Sequence, residues 1–258
     1  QTGGRLEDMT SFAKYIGGSP TNTAVGASRL GLRSALVTRV GADHFGRFIH
    51  EQLRREGVCV DGLVTDRERL TALVFLGIRD PDTFPLIFYR ENCADMALGV
   101  SDIDVELVQS ARSVLINGTH RARPNVFDAS VHACELARAA GARVVFDIDY
   151  RPVLWGLTGR DMGENRFVAD AEVTVRLQQV LPLCALIVGT EEEIHILGGS
   201  TDTIAALRAI RARTEALLVC KRGAHGCSAF SAEIPGSLDR GVVGRGFQVE
   251  VLNVLGVG

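Results

Sequence analysis

Ser113-Val114-Leu115-Ile116-Asn117, Arg143-Val144-Val145-Phe146-Asp147, Ala185-Leu186-Ile187-Val188 and Ala216-Leu217-Leu218-Val219-Cys220 are four short apolar runs. Each is too brief for a helix and is dominated by Val, Leu, Ile and Phe, so each predicts a strand. They alternate with helical patterns over 102–111, 125–140, 172–180 and 203–214. Short apolar strands alternating with helices imply βα units and a parallel sheet, with both of its faces covered. Upstream, 20–31 reads as a helix opened by Pro20 in its first turn, and 34–40 as a strand. An amphipathic helix over 43–56 is closed by Gly57. Three β-like runs come next at 58–64, 70–79 and 85–90, the last two separated by the turn Asp80-Pro81-Asp82. That hairpin has no place in a parallel sheet, so it is expected to form a small β flap over the strand ends, able to close on a ligand.

The 258 residues are 46% hydrophobic and 23% charged, which suits a globular chain of one large or two ordinary domains and excludes disorder and fibrous architectures. No stretch approaches the roughly 18 consecutive apolar residues of a spanning helix. A net charge of -3 suggests no nucleic-acid surface, and no membrane partner is expected. Six cysteines, at 59, 93, 134, 184, 220 and 227, include no Cys-x-x-Cys pair. They read as buried thiols in a reducing, cytoplasmic compartment. Cys220, His225 and Cys227 fit no standard zinc spacing. Both ends read as cut: the chain starts at Gln1, and it stops at Gly256-Val257-Gly258, a glycine-rich loop that should open a helix.

Ligands of open α/β sheets bind beyond the carboxyl ends of the strands. Polar clusters fall there. Gly17-Gly18-Ser19-Pro20-Thr21-Asn22 precedes a helix; it is either a plain turn or a place where a ligand nears the backbone and Asn22 meets a hydroxyl. It is not a Gly-x-Gly-x-x-Gly fingerprint. Asp147-Ile148-Asp149-Tyr150-Arg151-Pro152 puts two carboxylates and a guanidinium at a strand end, costly unless paired or liganded. Gly189-Thr190-Glu191-Glu192-Glu193 reads as a helix cap or as a carboxylate serving a metal's hydration shell. Lys221-Arg222-Gly223-Ala224-His225-Gly226 suits phosphate, or a β-turn between strands. Gly256 and Gly258 could begin an anion-binding nest.

Taken in order, Gly17-Gly18 with Asn22, Arg39-Val40-Gly41-Ala42-Asp43 with Gly46, Asp147-x-Asp149-x-Arg151-Pro152, Glu192, Gly223-x-x-Gly226 and Gly256-x-Gly258 resemble the PfkB (ribokinase-like) sugar-kinase family across nearly the whole chain. Finer stretches at 16–22, 84–95, 146–152, 189–195 and 251–256 resemble its subfamily acting on 5-dehydro-2-deoxygluconate in myo-inositol catabolism. The resemblance implies a ribokinase-like α/β three-layer sandwich with a mostly parallel sheet and a small β lid. It implies one kinase domain over 1–258, incomplete at both ends, with lid strands from about 8–18 and 58–90. It implies ATP and Mg2+ as cofactors, a small-molecule sugar acid as substrate, phosphorylation of a terminal hydroxyl, and a homodimer through the lid.

The resemblance also assigns roles. Gly17, Gly18, Asn22, Arg90 and Arg151 would bind the substrate, the two arginines gripping its carboxylate. Lys221, Gly223 and Gly226 would bind the nucleotide. Gly189 stands where the family has Asn, so the metal motif survives as Glu192, acting through water. Gly256 and Gly258 would form the anion hole, Val257 replacing an Ala. The family's general base, an Asp, would come after Gly258, and its first strand would precede Gln1, so the chain as written is expected to be an inactive fragment. The alternatives are a kinase of 2-keto-3-deoxygluconate or another sugar, and a non-catalytic sugar-acid-binding protein. For the arginines, the alternatives are a solvated Arg90 and an Arg151 paired with Asp147.

Overall fold

The computed structural model describes residues 5–78, 85–160, 162, 165 and 167–246. Helix α1 (Ser19–Arg29) begins after Gly18, whose φ of 95° suits only glycine, and carries a proline in its first turn. Strand β1 (Thr38–Gly41), helix α2 (His44–Arg55) and strand β2 (Leu63–Asp66) come next. β1 and β2 pair in parallel as a separate two-stranded sheet, Thr38 opposite Leu63. Ala24, Leu36, Val40, Leu53, Val58, Val60 and Leu63 form its small core. The strand expected over 34–40 is thus shorter; before Thr38, Ala35 makes only an isolated bridge to Cys59.

The Arg39–Gly46 motif ties this unit to the hairpin. Asp43 caps α2, accepting from the amides of Phe45 (2.8 Å) and Gly46 (2.9 Å). It also accepts from the Thr71 amide (2.7 Å) and hydroxyl (3.0 Å). Burial alone would raise the Asp43 carboxyl, but these hydrogen bonds outweigh it and hold the group below its ordinary value. A Cβ on Gly46 would collide with the carbonyl oxygen of Gly41, so the loop requires glycine there.

Two residues after Thr71 the chain enters β3 (Leu73–Leu76), which pairs antiparallel with β4 (Leu86–Tyr89), Leu73 opposite Tyr89. This is the hairpin the sequence predicts; its turn at Asp80–Asp82 lies outside the described residues. The expected lid strand at about 8–18 is not found. Leu6–Asp8 is a 3-10 turn and 9–17 carry no strand. What holds that segment to the hairpin is aromatic: Phe12 meets Phe75 edge-on at 5.1 Å, and Phe75 meets Tyr89 at 5.4 Å. Within the expected 58–90 lid, β2 belongs to the β1 sheet instead.

The rest of the chain builds the larger sheet. Its elements are α3 (Val105–Ser110), β5 (Ser113–Asn117), α4 (Pro124–Ala139), β6 (Arg143–Asp147) and α5 (Ala171–Gln178), then β7 (Leu186–Thr190), α6 (Glu191–Gly198), α7 (Thr203–Arg211), β8 (Leu217–Lys221), β9 (Cys227–Phe230) and β10 (Val242–Gly244). The strand order is β10-β9-β8-β7-β6-β5, parallel from β5 to β8 and antiparallel from β8 to β10. Val144, Phe146, Ile187 and Leu218 from the strands pack with Ala129, Ala133, Leu177, Leu207 and Ile210 from the helices. The register aligns the strand ends. Asn117 lies opposite Asp147, Asp147 opposite Val188, and Thr190 opposite Lys221, so the carboxyl ends of β5 to β8 are level.

Candidate functional site at the strand ends

The level strand ends gather charge. The Ser19 hydroxyl, at the start of α1, donates to Asp147 Oδ2 over 3.4 Å. Lys221 Nζ lies 3.9 Å from Asp147 Oδ1. One carboxylate at the end of β6 therefore joins the Gly17-Gly18 loop to the end of β8. Beside it, Asp149 adopts a left-handed φ of 33° and pairs with Arg151, Nη2 to Oδ1, at 3.5 Å. Arg151 Nη1 lies 3.9 Å from Glu193 Oε1 and donates to the Tyr150 carbonyl at 2.9 Å. The Thr119 hydroxyl, beyond β5, lies 2.9 Å from Asn117 Oδ1 and 3.2 Å from Asp149 Oδ2. The alternative of an Arg151 paired with Asp147 is not found: the guanidinium faces Asp149 and Glu193, because Asp147 points to the other side, toward Ser19 and Lys221.

Burial pushes the Asp147 carboxyl up to about 6; Lys221 opposes the rise, Asp149 and Glu193 add to it, and Ser19 opposes it. This shift has a definite sign in stability. A raised carboxyl costs nothing below its unfolded value near 4, costs progressively more as pH rises toward 6, and carries its full penalty above that. We therefore expect Asp147→Asn to stabilise the ligand-free protein by roughly 2–3 kcal/mol at pH 7.5 and by nearly nothing at pH 4. Urea unfolding of both proteins at the two pH values checks this. A gain that does not change with pH would show that Asp147 carries no buried charge.

The three successive glutamates of α6 divide their work. Glu193 faces inward and completes a capping box with Thr190, its Oε2 accepting from the Thr190 amide at 2.8 Å. Glu191 lies 3.6 Å from Arg222. Glu192 is exposed and makes no hydrogen bond or ion pair among the described residues. Among those residues no group of three His, Cys, Asp or Glu side chains is placed to cage a metal. A free first-turn carboxylate without a cage fits a hydrated cation held through water. Cys220 stands opposite Ser228 and Cys227 opposite Lys221, so the two thiols point to opposite faces and form no cluster with His225.

Other predicted residues sort by what surrounds them. Gly223 lies in a 3-10 turn at φ 54° with open space where a Cβ would project. Gly226 is different: its missing Cβ is replaced by the Gly244 carbonyl and the Gly246 amide, so it serves packing. The Lys221–Gly226 stretch is the turn between antiparallel β8 and β9. Gly17 and Gly18 have open surroundings, and Asn22 is exposed with its side chain making no hydrogen bond among the described residues. Arg90, at the end of β4, pairs with Asp95. Gly256 and Gly258 lie outside the described residues. Sequence reasoning missed Ser19, Thr119 and Glu193 as members of the cluster. Ser19 was hidden inside a motif that reads as a turn, and Glu193 is one of three identical neighbours.

Comparison with known proteins adds lineage to this geometry. Residues 2–258 match the description "pfkB family carbohydrate kinase". A 5-dehydro-2-deoxygluconokinase of Shouchella clausii (strain KSM-K16) is 35% identical over 228 residues, which take in 87% of this chain and 66% of that protein. The chain thus spans about two thirds of the length of that curated relative. A PfkB protein from Polaromonas sp. JS666 superposes with a TM-score of 0.77 at 29% identity, over 88% of this chain and 74% of the other. A fructokinase from Xylella fastidiosa, solved with bound ATP, superposes with a TM-score of 0.72 at 25% identity, over 89% and 70%.

Proposed function

Because the chain belongs to the pfkB family of carbohydrate kinases, we propose that it serves the ATP-dependent phosphorylation of 5-dehydro-2-deoxygluconate at its terminal hydroxyl, a step of inositol catabolism. The observation that carries this reading is Asp147, which touches the glycine loop through Ser19 and the β8 end through Lys221. A sugar side and a nucleotide side thus meet on one carboxylate. The acid character of the substrate is supported by Arg151 at the same strand end and by the name of the Shouchella relative. ATP with Mg2+ would supply the phosphoryl group and neutralise its charge. Glu192 would hold the hydrated metal, and Lys221 and Gly223 would receive phosphate oxygens. Gly17, Gly18 and Asn22 would orient the sugar hydroxyls, and Arg151 with Arg90 its carboxylate. Gly256 and Gly258 are proposed as the anion hole around the transferring group.

We place the protein in the cytoplasm, which its six unpaired cysteines support. Among the described residues no helix is long and apolar enough to cross a membrane. A dimer through the hairpin is the assembly we propose, supported by the exposure of Val74, Leu76 and Tyr89 on β3 and β4. The deciding experiment is a substrate panel with Mg-ATP on the complete gene product: 5-dehydro-2-deoxygluconate, 2-keto-3-deoxygluconate, ribose and fructose. We expect the first to be preferred by kcat/KM over the others. Preference for a neutral sugar would refute the assignment, and tight acid binding without any transfer would favour the non-catalytic binding protein.

A further inference from the structure

A cavity of about 520 Å³ lies at the foot of the β3–β4 hairpin and shares no lining residue with the strand-end site. Arg39 on β1, Arg69 before β3, Glu91 and Asn92 after β4, and Arg123 and Asn125 at the start of α4 line it. Its donors are held in place from behind. Asp66, only 2% exposed, lies 3.2 Å from Arg39 Nη2 and 3.3 Å from Arg69 Nη1. Arg39 Nη1 also reaches Asp102 at 3.3 Å and the Ala97 carbonyl at 3.1 Å. Arg69 Nε donates to Asn92 Oδ1 at 3.3 Å. Asn125 Nδ2 donates to the Met96 and Leu98 carbonyls, each at 2.9 Å, which fixes the wall.

What is left over is almost all donor. Arg123 is exposed, and its guanidinium makes no hydrogen bond or ion pair among the described residues. Arg39 Nε is enclosed by protein, so what Arg39 adds to the cavity is its positive charge and the outward edges of its Nη groups. The lining carboxylate, Glu91, is engaged by Arg160. α4 begins at this wall with no side-chain cap, leaving first-turn amides to a ligand or to water. We propose that this cavity is a second ligand site, one that binds a phosphate group, borne by inorganic phosphate or by a phosphorylated metabolite. Guanidiniums from three separate elements match an anion with several oxygens spread in three dimensions; a planar carboxylate would satisfy one fork. The bound group bridges Arg69 and Asn92, at the two ends of the hairpin, to Arg39 and Arg123 on the body of the protein. Occupancy therefore tightens the hairpin's attachment, and the site stands whether or not the proposed sugar acid is the substrate.

The test is calorimetric titration of inorganic phosphate at constant ionic strength, with chloride as the balancing ion, on the wild type, Arg123→Gln and Lys221→Ala. We expect phosphate binding that Arg123→Gln weakens tenfold or more and Lys221→Ala leaves in place. The Arg123→Gln protein should melt with the wild type in phosphate-free buffer, since that guanidinium makes no internal bond. Glucose 6-phosphate as a second titrant assigns the source: whichever of the two phosphates binds tighter, the site is upheld. Absence of phosphate binding, equal binding by wild type and Arg123→Gln, complete loss in Lys221→Ala, or equal displacement by gluconate would each overturn the proposal.

Discussion

Alanine at position 226 should cost about 3–5 kcal/mol of stability and abolish ATP binding, while alanine at 223 should cost about 1 kcal/mol. The two glycines are three residues apart in one turn, and both have positive φ. Their surroundings differ. Gly226 has φ 81° and ψ -125°, a region that side-chain-bearing residues scarcely enter. Its added Cβ would also meet the Gly244 carbonyl and the Gly246 amide, both backbone atoms that cannot rotate away. Relief would require β10 to separate from β9, whose pairing starts with Gly244 opposite Cys227. Gly223 adopts an ordinary left-handed conformation with nothing near its Cβ position. Urea unfolding and ATP titration of both variants measure the contrast. If Gly226→Ala unfolds with the wild type, or if Gly223→Ala is the worse of the two, the assignment of packing to one and openness to the other is wrong.

That contrast marks where sequence reading stops. Both glycines are legible as turn residues beside cations, and both read as nucleotide-binding, because a glycine's neighbours in space are not written next to it. The parallel sheet is legible for the opposite reason. Val144, Phe146, Ile187 and Leu218 are buried in the strands they announce, so apolar runs and structure carry the same information. Only the start of α6 is legible, as the acidic cap at Thr190–Glu193; its eight residues are too few for a helical period to show its extent. The antiparallel strands β9 and β10 are short and acquire their identity only from pairing, β9 with β8 and β10 with β9. The lid strand that the family resemblance implies near 8–18 has no pairing edge there: the segment meets the hairpin through Phe12 against Phe75, and Tyr15 is 83% exposed. At the site, the Asp147–Arg151 stretch announces its chemistry, but which carboxylate serves the arginine depends on the left-handed turn at Asp149.

Arg151→Ala should weaken binding of the acid sugar ten- to a hundredfold while leaving ATP affinity within about twofold. The guanidinium is three-quarters buried and already faces Asp149 and Glu193 at 3.5 and 3.9 Å. Neither distance is a close, directed hydrogen bond, so its donors are not saturated by these carboxylates. A substrate carboxylate can then take the outward face of the fork. Lysine at 151 should restore only part of the affinity, since an ammonium cannot make the planar two-point contact. A purely structural arginine predicts a different pattern. Its removal would leave Asp149 and Glu193, each 8% exposed, without their cation, and a broken buried pair costs about 3–5 kcal/mol. The melting temperature would fall steeply, and acid sugar, neutral sugar and ATP would all lose affinity together. Calorimetric titration of 2-keto-3-deoxygluconate, a neutral ketose and ATP, set beside thermal melts of the same variants, separates the two. Selective loss of the acid assigns Arg151 to the substrate. Parallel loss of all three, tracking the melt and rescued by lysine as well as by arginine, would make it scaffold, and the acid specificity would have to come from elsewhere among the strand ends.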